Sequence, residues 1–407
     1  MSRLDSCYSI ADLRREAKSR LPKGVFEFLD RGTEEEIALT ENREAFQRLK
    51  LRTRFLRDLS KRDMGTQLFG KRSNLPMAIG PTGIAGLCWY QGELLLAKAA
   101  AKVGIPFAMA TASLTDIDTV AREAGGRLWY QLYMWQETEL SYQMIGRAKD
   151  LGFEALVVTI DHALGRLREH NDKNGFAFPF SPNLRAFTDM ALHPRWLAGV
   201  MGRYAMSGKM PRQANYPKQF QRMFASKNAK IPTRHIGMTW DDISRLRDFW
   251  PGKLIVKSIL GAEDAKMAVE RGADAVVVSN HGGRAMDSAI PSIDVLPEVA
   301  AAVGDRVSVL FDSGIRRGSD IAKAIALGAD SCLVGRATLY GVGAGGQEGA
   351  EKALNMLGNE FEKTMGYIGC RTVAELDRTI FASRLDPDRI VADGLGRAPA
   401  GMADTAQ

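Results

Sequence analysis

The sequence predicts an α/β chain folded as a (β/α)8 TIM barrel, with an N-terminal helical extension and a long insertion after strand 4. Three observations carry this prediction. Eight short apolar runs follow one another from about residue 75 onward. Amphipathic segments separate them. Polar and charged residues gather at the C-terminal ends of the runs, where barrels of this kind place their sites.

The strand-like runs are LPMAIGPTG, IPFAMATAS, LWYQLYM, ALVVTID, KLIVKSI, DAVVVSNHGG, VSVLFDSG and SCLVGR. They are rich in Val, Ile and Leu without clean polar alternation, as in parallel strands buried on both faces. Helical patterns fall between them: GELLLAKAAAKVG, LTDIDTVAREAG, ETELSYQMIGRAKDLG, WDDISRLRDFWP, GAEDAKMAVERGA, SIDVLPEVAAAVG, SDIAKAIALGA and QEGAEKALNMLGNEFEKTMGYIG. Many end in Gly, the usual left-handed cap. A doubly wound open sheet is the runner-up. It normally carries GxGxxG after its first strand, whereas GPTGIAG stands here.

The first 70 residues read as a helical preface, and residues 1–385 as one domain. The segment between Asp161 and Trp240 interrupts the alternation after the fourth strand; its core, 182–236, is expected to be a mobile or membrane-contacting insertion. Residues 386–407, rich in Pro, Gly and Ala, are expected to form a flexible tail.

Composition bounds the function loosely. The 407 residues are 45% hydrophobic and 25% charged, with net charge +7, which suits acidic small molecules, nucleic acid or an anionic membrane. The four cysteines lack CxxC spacing, so neither a zinc ribbon nor a disulfide framework is indicated, and no metal site is expected. There is no signal-peptide core and no run of about 18 apolar residues. The expected location is cytoplasmic, with room for peripheral attachment to the inner face of the membrane.

Candidate site residues follow from the strand ends. They are Pro81, Thr82 and Gly83; Gln131 and Tyr133; Thr159 and Asp161; Lys257; Ser279, His281 and Arg284; Asp312, Ser313, Gly314 and Arg316; Gly335 and Arg336. Glycines beside arginines at the seventh and eighth ends suit a phosphate dianion; otherwise those arginines are solvated surface groups. His281 is a candidate proton acceptor and Arg284 a candidate carboxylate fork, against a histidine packed on the sheet for structural reasons. Asp161 either orients His281 or caps the next segment. Lys257 either holds negative charge on a cofactor or pairs with a carboxylate inside the barrel.

The runs SNHGGRAMD and FDSGIRRGSDIAKAIALGADSCLVGRATLYG closely resemble the FMN-dependent L-2-hydroxy-acid oxidases and dehydrogenases, such as glycolate oxidase and L-lactate dehydrogenase. The likeness runs from about Ile10 to about Cys370. TLYG, HPRW and the tryptophan before PGKLIVK are closest to the (S)-mandelate dehydrogenase branch. The resemblance implies FMN as cofactor and oxidation of a small L-2-hydroxy acid to the 2-oxo acid, with a quinone-type molecule or O2 as electron acceptor. It also implies a homotetramer. His281 matches the base and Asp161 its supporting carboxylate. Arg284 and Arg168 match the substrate arginines, and Tyr133 the tyrosine beside the substrate. Gln131, Thr82, Thr159 and Ser279 match flavin contacts, and Lys257 the lysine that stabilises the reduced ring. Asp312 and Arg316 match ribityl and phosphate contacts, and Gly335 and Arg336 the phosphate site.

Two positions, Phe28 and Ala110, depart from the pattern, and a third, Gly83, bears on the branch. Phe28 stands where the family usually has a tyrosine bonded to the substrate carboxylate, so one donor is lost. Ala110 replaces a serine that commonly contacts the flavin. Gly83 stands where oxidases often have Ala, as in dehydrogenases.

Between residues 182 and 235 Asp189 is the sole acid, among Arg185, Arg195, Arg203, Lys209, Arg212, Lys218, Arg222, Lys227, Lys230 and Arg234. Phe187, Leu192, Trp196, Leu197, Val200, Met201, Tyr204 and Met206 are interleaved. That mixture suits an anionic membrane surface, and equally an active-site lid or an oligomer contact. No nucleic-acid module is visible. Rival functions are oxidation of an atypical substrate by an FMN barrel, for which Phe28 speaks, and a flavin-carrying or membrane-associated protein without turnover.

Overall fold

The computed structural model describes residues 3–161, 164–165, 167–181, 183–224 and 233–382. Eight parallel strands close into a barrel: β1 Met77–Ile79, β2 Phe107–Ala110, β3 Leu128–Leu132, β4 Ala155–Thr159, β5 Lys253–Ile259, β6 Ala275–Val278, β7 Ser308–Asp312 and β8 Ser331–Val334. Each pairs with the next, and β8 pairs back with β1. All eight expected strands are present.

Side chains alternate between two cores, as the pleat requires. Ala78, Ala108, Trp129, Val157, Ile255, Val277, Leu310 and Leu333 fill the barrel. The residues between these interior positions, such as Met109, Tyr130 and Val256, pack outward against the helices. The same period of two places Gln131, Thr159, Lys257, Ser279, Asp312 and Gly335 two residues past the last interior apolar position of their strands. The interior therefore turns from apolar to polar in one layer.

A short hairpin, Thr66–Leu68 with Lys71–Ser73, closes the barrel bottom with Leu68. These strands, TQL and KRS, are short and mostly polar, so they show no apolar run, and the sequence did not mark them. At the other rim, β5 shifts register on β6 between Lys257 and Ile259, and Ser258 there has φ +84°. This bulge re-aims the strand end beside the site.

Three helices precede the barrel, Ile10–Arg20, Lys23–Asp30 and Ile37–Arg48, in the region read as a helical preface. The expected last helix is longer at its start: it spans Arg336–Ile368, with a break at Gly345 and Gly346. Its N-terminus therefore follows β8 directly.

The insertion is largely helical. Glu169–Asn174 and Leu184–Ala191 are helices, and a further helical stretch runs from Pro194 to Met206. The one acid between residues 182 and 235 serves the fold, because the Asp189 carboxylate accepts from Lys23 N and Gly24 N, both 2.9 Å, and caps helix Lys23–Asp30. Trp196, Val200 and Tyr204 are buried in the core, and Trp196 Nε1 donates to Leu87 O at 2.6 Å. These three cannot meet a membrane as the interleaving suggested. Phe187, Leu192 and Met206 are exposed, as are Leu184, Met210, Phe224 and Ile236. Lys227, Lys230 and the tail 386–407 lie outside the described residues.

Candidate active site

The strand tips surround a cavity of about 990 Å³, at the upper end of the range for cofactor and ligand clefts. Pro81, Thr82, Gly83, Tyr133, Thr159, Lys257, His281, Asp312, Ser313, Gly314, Arg316, Gly335 and Arg336 line it, with Phe28, Arg168 and Arg284. Gln131, Ser279 and Asp161 stand directly behind this wall, each bonded to a residue in or beside it.

His281 is the centre of the arrangement. Its Nδ1 lies 2.8 and 2.9 Å from the two Asp161 oxygens, which requires the proton on Nδ1 and leaves Nε2 as the acceptor. The Tyr133 hydroxyl is 3.4 Å from Nε2, and the two rings are nearly parallel, 12° apart. The His281 backbone is left-handed, φ +58°, followed by Gly282 and Gly283 at +67° and +68°. Only glycine fits the last position, because a Cβ on Gly283 would lie 2.5 Å from Leu39 N. Asn280 and Asn42 exchange two amide bonds of 2.9 and 3.0 Å, tying this turn to the preface.

Both candidate substrate arginines lean on the preface. Arg284 Nη1 donates to Leu29 O at 3.2 Å and Arg31 O at 3.0 Å, the C-terminal carbonyls of helix Lys23–Asp30. Arg168 Nη2 is 3.4 Å from Arg284 O. The two guanidinium carbons lie 5.3 and 5.4 Å from the centroid of Phe28, so one ring braces both cations. This is what stands in place of the missing tyrosine.

A second network lies in the floor. Lys257 Nζ is 2.9 Å from Asp312 Oδ2 and donates to Ser279 Oγ at 2.8 Å. Ser279 Oγ donates in turn to Asp312 at 2.9 Å and accepts from His281 N at 3.0 Å. Burial would raise the Asp312 pKa, but the Lys257 cation and these hydrogen bonds hold it below the usual carboxylate value. Lys257 is thus paired with a carboxylate inside the barrel, one of the two expectations for it, and it also lines the cavity.

The phosphate-type features divide. Ser313, φ +104°, and Gly314, φ +86°, turn the chain at the end of β7. The helix from Arg336 opens its N-terminus onto the cavity. The Arg336 guanidinium is also tied to the backbone: it donates to Leu29 O, Asp30 O, Arg31 O and Gly282 O at 3.2, 3.0, 3.1 and 2.8 Å. It is buried, not solvated; Arg317 is the exposed one, paired with Glu360 at 3.0 Å. Arg316 remains beside the cavity, over the Tyr340 ring at 5.7 Å.

Several residues of this wall were not singled out as site residues in the sequence, and Arg234, noted there only for its charge, is the basic one among them. Arg234 lines the cavity with its guanidinium carbon 4.5 Å from the Tyr133 ring centroid. No local pattern distinguishes it from the other basic residues of the insertion.

These residues fit an FMN. Gly80, Gly83, Ala110 and Ala112 keep one wall low enough for a flat ring, Lys257 puts a cation in the floor, and Gly314, Arg316 and the helix N-terminus offer donors to a phosphate. Comparison with known proteins agrees. Residues 17–383 match the model of the FMN-dependent dehydrogenase family. The chain is 40% identical to (S)-mandelate dehydrogenase of Pseudomonas putida over 371 residues, 91% of this chain and 92% of that one. It is 36% identical to L-lactate dehydrogenase of Caulobacter vibrioides over 379 residues, 93% and 98% of the two chains. Among solved structures, the monotopic membrane protein (S)-mandelate dehydrogenase superposes with TM-score 0.84 at 38% identity, covering 93% of this chain and 99% of that one. The chain therefore belongs to the FMN-dependent dehydrogenase family, an oxidoreductase of the mandelate and lactate dehydrogenase kind with FMN as its cofactor.

Proposed function

We propose that the protein oxidises an L-2-hydroxy acid, mandelate-like or lactate-like, to the 2-oxo acid. The observation that carries this reading is the His281–Asp161 pair facing the same cavity as Arg284 and Arg168. Arg284 and Arg168 bind the substrate carboxylate and orient C2 and its hydroxyl. Nε2 of His281 takes a proton from the substrate, and Asp161 stabilises the imidazolium that forms. Tyr133 supplies a hydrogen bond beside that nitrogen. The chemistry that a bound FMN would supply is that of a two-electron acceptor, which would take the electron pair from C2 together with the second hydrogen of the CH–OH group, a hydride or its equivalent. Lys257 supplies positive charge in the floor, and Gln131, Thr82, Thr159 and Ser279 the polar groups around the ring site. Asp312, Arg316, Gly335 and the N–H groups at Arg336 would hold the ribityl phosphate end.

Anaerobic mixing of the yellow holoenzyme with a panel of L-2-hydroxy acids tests the reading. Bleaching by at least one is expected; a flavin that no member reduces would overturn it and favour an atypical substrate or a protein without turnover. Admission of air then separates the acceptors, since prompt reoxidation marks an oxidase and slow reoxidation a quinone-type acceptor.

Phe28→Tyr tests how the carboxylate is held. A hydroxyl there would add a hydrogen bond to a charged group, about 1.5–3 kcal/mol, so KM should fall about tenfold or more. Because that bond forms equally in ground and transition states, kcat should stay the same. An unchanged KM would mean that the ring edge does not face the carboxylate.

The insertion supports attachment to an anionic membrane. Leu184, Phe187, Leu192 and Met206 are exposed among Arg185, Arg195, Arg203 and Lys209, while Asp189 is taken up as a helix cap. No described helix is long and apolar enough to cross a membrane. The similar mandelate dehydrogenase is a monotopic membrane protein. The holoenzyme should sediment with vesicles containing anionic lipid and stay in solution with neutral ones. Equal partition between the two would exclude the electrostatic part of this proposal.

A further inference from the structure

We infer that Arg234, at the return end of the insertion, is a positioning residue for Tyr133 and so couples the insertion to the proton-transfer centre. The inference rests on the reading of His281 and Tyr133 given above. It goes beyond that reading by assigning a role to a basic residue outside the barrel rim.

The returning chain is stitched to the loop after β3. Gln136 N donates to Thr233 O at 2.9 Å and His235 N to Met134 O at 3.0 Å, an antiparallel bridge that sets Arg234 opposite Trp135. From there the guanidinium lies over the Tyr133 ring, 4.5 Å from its centroid. Its Nη1 is 3.5 Å from Tyr133 O, and its Nη2 donates to Tyr216 Oη at 3.3 Å. Tyr216 is buried and packs edge-on against Trp135, centroids 4.8 Å apart. Arg234 is therefore held from behind by Tyr216 and presses on Tyr133 in front.

A tyrosine at a strand end can swing about two side-chain torsions. Here its hydroxyl must stay near His281 Nε2, 3.4 Å away, to be of use. A cation over the ring face is attracted by the ring's quadrupole and restrains the swing. The contact also keeps positive charge beside a hydroxyl that faces the proton acceptor. Arg168 brings the insertion to the substrate carboxylate; Arg234 brings it to the tyrosine beside the proton acceptor.

A double-mutant cycle on the holoenzyme separates this from a mere strut. The readout is the limiting rate of anaerobic flavin reduction by (S)-mandelate or L-lactate, whichever reduces the unaltered protein faster. Arg234→Met should lower that rate about 3- to 30-fold, the range of one cation–ring contact. Arg234→Lys, which keeps the charge over the ring, should recover most of the loss. In a Tyr133→Phe background, with its hydroxyl already gone, Arg234→Met should add less than about a twofold further loss. Losses that multiply in the double variant, a lysine variant as slow as the methionine one, or no loss in Arg234→Met would each overturn the inference. If Arg234→Met does not retain flavin, Tyr216→Phe, which removes the rear tether, enters the same cycle with the same criteria. If neither acid reduces the unaltered protein, the proposed function itself fails; if one does and the cycle is additive, only the role of Arg234 fails.

Discussion

His281→Asn holoenzyme should remain yellow and should fail to be reduced by any acid that reduces the unaltered protein, with the rate of flavin reduction lower by at least about 10²–10⁴. The size follows from the chemistry: among the described residues lining this cavity His281 is the one imidazole, and it is bonded to a carboxylate. Asparagine is the informative replacement because His281 has φ +58°, a left-handed conformation that Asn tolerates far better than Gln or Ala. The turn and its bonds to the preface should therefore survive. Flavin retention is expected because Lys257, Ser279 and Asp312 bond to one another and use only the backbone N–H of residue 281. The absorbance spectrum checks binding and anaerobic stopped flow checks reduction. Rapid bleaching in this variant would remove His281 from the role of base. Asp161→Asn should fall between the two, since it leaves the imidazole in place but no longer enforces the proton on Nδ1.

How much of this was legible beforehand depended on whether the signal was local. The barrel strands were legible because each is an apolar run long enough to show its burial, and the site followed because the pleat carries inward-facing positions past the end of each run. Thr159, Lys257, Ser279 and Asp312 are such positions. What the sequence does not show are contacts between distant segments. Asp189 caps a helix 165 or more residues away, and nothing near it in the chain says so. Trp196, Val200 and Tyr204 have the same composition signal as Phe187 and Met206, yet the first three are buried and the last two exposed. Arg336 reads as a phosphate contact from its place beside Gly335; what the sequence does not show is that the carbonyl end of helix Lys23–Asp30 also engages its guanidinium. A helix end with unpaired carbonyls attracts cations, and the preface brings one to the barrel mouth. The meaning of Phe28 changed for the same reason. As a letter in the sequence it is a lost hydroxyl; in space it is a platform between two guanidinium groups.

Lys257→Met should be the most costly substitution for the folded state, and its cost should depend on pH. The ammonium is almost fully buried and the Asp312 carboxylate mostly so, with 2.9 Å between them. Removing one partner of such a pair strands the other charge, at a cost of about 3–5 kcal/mol. The pH dependence follows from the sign of each shift. In the unaltered protein the folded pKa of Asp312 is depressed, so its contribution to stability is present above the ordinary carboxylate pKa and is lost as pH falls through the lower folded value. Without Lys257 the burial of Asp312 is opposed only by hydrogen bonds, and its folded pKa should rise above the unfolded one. The carboxylate then costs stability at neutral pH and costs less as acid neutralises it. The gap in melting temperature between the two holoenzymes should accordingly be widest near pH 8 and should narrow on acidification towards pH 5. Weaker flavin binding should accompany it, because the floor of the cavity exchanges a cation for an uncompensated anion. A gap that stayed constant or widened towards acid would show that Lys257 does not hold the Asp312 charge, and the electrostatic account of the cavity floor would have to be abandoned.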